Sequence, residues 1–143
     1  MKLLALDFGL KKIGVAITDE NQHFAFAKDM LVNNEKLFST LNQLIIAEKV
    51  GMIIMGRSPR DEIRKASEIT AKKIEKYCNI PVLFVDEKYS TKQALALPHT
   101  LALKKKQRQQ FDDDSAAAAY ILEGYLQSRI SWKLFFLAIN LRK

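Results

Sequence analysis

Cysteine is nearly absent. Cys78 stands alone, so an intrachain disulfide and a cysteine-rich zinc site are both excluded, and the chain suits a reducing cytoplasm. Histidine is almost as scarce: His23 and His99 are isolated and read as structural or surface side chains rather than ligands. With 3 prolines and 5 glycines in 143 residues, long disordered linkers are not expected. Membrane-length apolar runs are missing too. The uninterrupted stretch at 134–139 is far too short to cross a bilayer, so stable membrane insertion is not expected. The apolar start of the chain breaks at Asp7, which is not a signal-peptide layout.

What the chain does have is positive charge, with 23 Lys and Arg against 16 Asp and Glu and a formal net charge of +7. Nucleic acid is the first candidate partner and an anionic membrane surface the second. Apolar residues make up 48% and charged residues 27%, the balance of one globular domain with enough chain for a sizeable core.

Taken in order, residues 2–8 read as a buried strand, Lys11 and Lys12 as a turn, and residues 13–18 as a second strand. Residues 19–22 have the composition of a hairpin turn. Phe24, Phe26 and Met30 alternate as a third strand, giving an antiparallel meander. Asn33 or Asn34 can cap a helix carrying Leu37, Leu41, Leu44, Ile45 and Val50, which Gly51 stops. Residues 52–55 form a buried strand that Gly56 breaks. Ser58, Pro59 and Asp61 then read as N-cap, first-turn proline and capping acid of a helix with Ile63, Ala66, Ile69, Ile74 and Tyr77 on its packing face. Asn79 ends it, and residues 82–85 are a further buried strand. The order helix, strand, helix, strand calls for right-handed crossovers and a parallel portion of the sheet. Ser90 and Gln93 suit the start of a short helix. The alanine-rich helix that opens at residues 112–115 can approach the sheet closely. The expected organisation is a domain over residues 1–127 and a hydrophobic, basic extension over 128–143.

Three acids occupy comparable places. Asp7 ends the first strand, Glu87 lies just past the strand at 82–85, and Asp114 stands at a helix start. A desolvated carboxylate needs a partner. Asp7 can find one in a shared cation or in the backbone N–H groups of the glycine turn it enters, and the local sequence leaves both open. Converging carboxylates in a basic protein suit Mg²⁺ or Mn²⁺, which prefer oxygen ligands, and such ions can activate water against a phosphodiester. Spacing alone leaves Asp86 as an alternative to Glu87, and Asp112 or Asp113 as alternatives to Asp114. The run at 104–108, with Lys104, Lys105, Lys106 and Arg108, reads as a solvated loop or as a phosphate-contacting one.

The segments LALDFGLKKIGVAITD, IIMGRSP, VLFVDEKYSTKQA and DDDSAAAAYILEGYL, in this order and spacing, resemble the YqgF/RuvX family of bacterial pre-16S rRNA nucleases, also described as Holliday junction resolvase-like. The resemblance runs from about Leu3 to Leu126. It implies an α/β, ribonuclease H-like fold: a five-stranded mixed sheet, its first three strands antiparallel, flanked by helices. It also implies an acidic, divalent-metal site in which Asp7, Glu87 and Asp114 are the ligands and catalytic residues. Ser115 sets the register at Asp114, and Gly9 and Gly14 match the family's loop glycines. Some positions depart from the pattern. Leu10 stands where the family commonly has Thr and Lys88 where it has Arg, and residues 57–60 are compact and basic.

The expectation is therefore a cytoplasmic, metal-dependent endonuclease (with Mg or Mn) that processes the 5′ end of pre-16S rRNA. Lys11, Lys12, Arg57, Arg60, Lys88, Lys104, Lys105, Lys106 and Arg108 are its candidate phosphate contacts. The alternatives are a Holliday junction resolvase-like endonuclease acting on branched DNA and a non-catalytic nucleic-acid-binding module. An actin-like ATPase ranks lowest, because one domain of this size lacks the second lobe needed to enclose a nucleotide. Sequence does not set the oligomeric state.

Overall fold

In a computed structural model the chain is described over residues 1–86 and 113–141. The elements are β1 (Lys2–Asp7), β2 (Lys12–Thr18), β3 (Ala25–Val32), α1 (Leu37–Glu48), β4 (Val50–Arg57), α2 (Asp61–Cys78), β5 (Val82–Asp86) and α3 (Asp113–Leu141). The five strands form one sheet in the order β3-β2-β1-β4-β5. β1 pairs antiparallel with β2, and β2 antiparallel with β3; β1–β4 and β4–β5 are parallel. The expected meander and parallel portion are both present.

Both faces of the central strands are covered, which is why β1 and β4 read as continuous apolar runs. Leu4, Leu6, Val15, Ile53 and Met55 pack on one face with Leu37, Leu41 and Ile45 of α1 and Ala71 and Ile74 of α2. Leu3, Ala5, Ala16, Ala25, Ala27 and Ile54 pack on the other with Ala118, Ala119, Ile121, Leu122 and Leu126 of α3. Alanines on both sides let α3 lie close to the sheet. The approach is close at Gly56, where an added Cβ would stand 2.7 Å from Ile121 Cδ1.

Several local expectations are corrected. Val50 opens β4 and does not belong to α1. Lys49 ends that helix instead, in the left-handed region at φ 55°, its N–H directed at the Ile45 and Ile46 carbonyls. Asn34 Oδ1 accepts from Lys36 N–H at 2.9 Å, ahead of the helix rather than inside it. α2 begins at Asp61, because Ser58 Oγ caps only the Arg60 N–H. The alternation of β3 is real, but its buried side chains are Ala25 and Ala27, while Phe24 and Phe26 are exposed. Ile69 and Tyr77 of α2 also face outward, each 58% exposed. The short helix expected after Ser90 lies outside the described residues. α3 runs without a break through position 128, and its late residues Leu137 and Ile139 are exposed. Among the described residues no helix is long and apolar enough to cross a membrane.

The β2–β3 turn ties three parts of the fold together. Gln22, at φ 58°, donates through Nε2 to the Met1 carbonyl at 2.8 Å, and its Oε1 accepts from Arg129 of α3. Asp19 Oδ1 accepts from the N–H groups of His23 and Phe24, both at 2.8 Å. Partial burial pushes the Asp19 carboxyl up, but the Phe24 and His23 N–H groups outweigh it and hold it below the ordinary aspartate value. The folded state therefore favours the charged form. The stabilisation is present above the unfolded-state value and is lost as pH falls through the folded one. Asp19→Ala is expected to cost about 1 kcal/mol in urea unfolding at neutral pH. The gap from the parent should close when both are measured below the aspartate range.

Candidate active site

β1, β4 and β5 run parallel, so their C-terminal ends share one edge of the sheet, where open α/β sheets place their ligands. Asp7 is the last residue of β1. It pairs with Gly14 of β2 on one side, and on the other it follows Leu6, whose partner in β4 is Met55. Asp7 therefore lies beside Gly56 at this edge. A cavity of about 260 Å³ opens there, lined by Asp7, Phe8 and Gly56 on the sheet side and by Ser58, Pro59, Arg60, Ile63 and Ser67 from the β4–α2 connection and α2. Asp7 is half-buried and Arg60 exposed at the rim. An anionic group and a cationic one thus flank a single opening. Ser67 is 1% exposed, and its hydroxyl donates to the Arg64 carbonyl at 2.7 Å.

The loop after Asp7 is held from the far side of the meander. Asn33 Nδ2 donates to the Gly9 carbonyl at 2.9 Å, and Asn33 N–H donates to the Lys11 carbonyl at 2.9 Å. Gly9 is packed so closely that an added Cβ would stand 2.4 Å from the Lys12 carbonyl oxygen. No glycine has positive φ, so it is space rather than backbone handedness that requires glycine here.

The sequence-derived residues divide clearly. Asp7 and Arg60 meet in the cavity wall. Lys11 and Lys12 are exposed on the loop and at the start of β2, outside that wall. The Arg57 guanidinium instead lies over the Phe84 ring, 5.6 Å from its centroid, next to the backbone pair Arg57–Asp86. Gly14 is a strand residue opposite Asp7 and not a loop residue. Asp114 is in the first turn of α3, with its side chain outside the description. Glu87, Lys88, Lys104, Lys105, Lys106 and Arg108 lie outside the described residues. Sequence reasoning missed Asn33 in this role and Ser67. Ser67 could have been found four residues after Ile63, on the same helical face.

The family model described as "RuvX: Holliday junction resolvase" matches residues 1–128. The chain belongs to the RuvX family. A RuvX relative from Sulfurihydrogenibium sp. (strain YO3AOP1), named "Putative pre-16S rRNA nuclease", is 33% identical over 132 residues, covering 87% of this chain and 89% of the relative. One of the same name from Flavobacterium psychrophilum is 31% identical over 136 residues, covering 90% and 98%. Among solved structures, RuvC of T. thermophilus in complex with Holliday junction substrate aligns with a TM-score of 0.64 at 12% identity, covering 91% of this chain and 96% of that one. The fowlpox virus Holliday junction resolvase aligns at 0.53 and 12% identity, covering 90% and 99%. These likenesses establish the ribonuclease H-like fold. The match to RuvX ends one residue before Arg129, the residue through which α3 reaches Gln22.

Proposed function

We propose that this RuvX protein is a divalent-metal-dependent endonuclease that hydrolyses phosphodiester bonds of precursor 16S rRNA near its 5′ end, in the cytoplasm. The observation that carries the reading is the position of Asp7: a half-buried carboxylate at the C-terminal end of the central strand, in a cavity whose opposite wall ends in Arg60. The family and the names of its relatives, all nucleases, supply the reaction class.

The donor chemistry fits a hard cation. Asp7 offers carboxylate oxygens, and among the described residues no group of three His, Cys, Asp or Glu side chains could hold a metal. The resemblance to the family pattern is what names Glu87 and Asp114 as the residues that would hold a metal beside Asp7. When bound, Mg²⁺ or Mn²⁺ would supply water activation and charge stabilisation at the phosphate. Asp7 contributes a ligand whose height is fixed by the β1–β2 and β1–β4 ladders. Arg60, exposed at the rim, would fork onto a phosphate. Lys11, Lys12, Arg57, Lys88 and the 104–108 cluster would hold the flanking backbone.

The test is cleavage of a labelled fragment spanning the 5′ end of pre-16S rRNA by purified protein, with Mn²⁺ and with EDTA. Site-specific cutting that stops on chelation is expected; cutting that continues in EDTA rejects the metal. A second reading, cleavage of branched DNA, draws on the family's description and on the fold shared with RuvC. A four-way DNA junction in the same assay separates the two. Cutting of the junction with no cutting of the RNA would reverse the order.

A further inference from the structure

Ile69 and Tyr77 of α2 carry the periodicity of core residues, yet each is 58% exposed. Their surroundings are cationic. Lys65, Ile69, Lys72 and Lys76 recur at intervals of four, three and four residues, which stacks them along one stripe of the helix, and all four are exposed. Lys73 is exposed beside them; Glu68 and Glu75, also exposed, lie on the flank away from Tyr77. The stripe leads to a groove where the first turn of α1 meets the last turn of α2. That groove, of about 350 Å³, is lined by Phe38, Lys73, Lys76 and Tyr77. The Phe38 and Tyr77 rings are 6.0 Å apart and tilted by 43°. Its wall is formed by aromatic rings and lysine stems. From Ile63, in the cavity of Asp7, to Tyr77 is about 21 Å along the helix at 1.5 Å per residue.

Two exposed aromatic and aliphatic surfaces among four lysines would be poorly placed against water alone. They match a strand that presents both a π-face and a phosphate at each step. Lysine stems pack on apolar surface while their ammonium groups reach outward, so one residue can flank a base and contact its phosphate. A duplex keeps its bases stacked inside and cannot use the rings. The charge excludes an acid-poor apolar partner as the better fit, because four lysines would be desolvated without counter-charge.

We propose that the outer face of α2, from Lys65 to the Phe38–Tyr77 groove, binds a single-stranded RNA segment flanking the site of cleavage, with a base stacked on Tyr77 and phosphates on Lys72, Lys73 and Lys76. The identity of that RNA as substrate rests on the nuclease reading; the binding itself does not.

Equilibrium binding of a fluorescein-labelled single-stranded oligoribonucleotide to the full chain, in EDTA so that no cutting intervenes, separates the two. Tyr77→Leu is expected to weaken binding at least about fivefold, and Tyr77→Phe, which keeps the ring, to bind as the parent does. Lys73→Ala combined with Lys76→Ala should reduce the slope of log affinity against log salt by about 1.4, two single-strand phosphates' worth. Circular dichroism melts check that these exposed substitutions leave the fold intact. Binding and salt slope unchanged in every variant overturn the proposal, as does a loss confined to duplex RNA or a parent that binds no single strand. Tyr77-dependent binding by a protein that never cuts RNA would uphold the groove and reject the nuclease reading.

Discussion

Asp7→Asn is expected to lower metal-dependent cleavage by at least about 100-fold and to leave the fold intact. Replacing a group one step removed from a metal already costs about 10- to 100-fold, so a ligand itself costs no less. Asn keeps the shape and one oxygen but loses the charge that draws a divalent cation. The backbone of Asp7 stays in place because its pairing with Gly14 does not use the side chain. The comparison is single-turnover cutting of the 5′-end fragment across a Mn²⁺ titration, with circular dichroism as the fold control. A curve displaced to higher Mn²⁺ with a lowered plateau assigns Asp7 to the metal. A variant as active as the parent at every Mn²⁺ concentration removes Asp7 from the chemistry.

The place of Asp7 was legible because β1 announces itself locally: an apolar run, an acid, then a glycine. The order of strands and helices was legible for the same reason, since both faces of β1 and β4 are covered and their sequences are apolar without alternation. What failed depended on partners distant in the chain. β3 was recognisable by alternation, but alternation does not say which set faces inward. That choice was made by packing against α3, whose residues share one core cluster with Ala25 and Ala27. The end of α1 was misplaced because a lysine, Lys49, takes the left-handed position that glycine or asparagine usually marks. α2 shows the opposite case, with Asn79 ending the helix at φ 51° as its residue type suggests. Asn33 read as a helix cap because its neighbourhood looks like a helix start; its bonds to Gly9 and Lys11 cross from one strand end to another. No local pattern encodes them.

Those bonds make Gly9→Ala the more revealing substitution. The added methyl group would meet the Lys12 carbonyl oxygen at 2.4 Å, so something must shift. Lys12 is poorly able to move, because it begins β2 and is registered against Val32 of β3. Asn33 also holds the Lys11 carbonyl from the same side. The strain is therefore relieved on the other side, through the short segment that joins Gly9 to Asp7. Overpacking of this kind costs about 1–3 kcal/mol, measurable by urea unfolding. The effect on turnover should be larger in proportion, since a displacement of about 1 Å at a reacting group can cost about 100-fold. Leu10→Thr serves as the control: Leu10 is 51% exposed, and its replacement should leave stability within about 0.5 kcal/mol. A Gly9→Ala protein that loses turnover beyond what its unfolded fraction explains ties the loop to the position of Asp7. One as stable and as fast as the parent would show that the loop yields without carrying the carboxylate along.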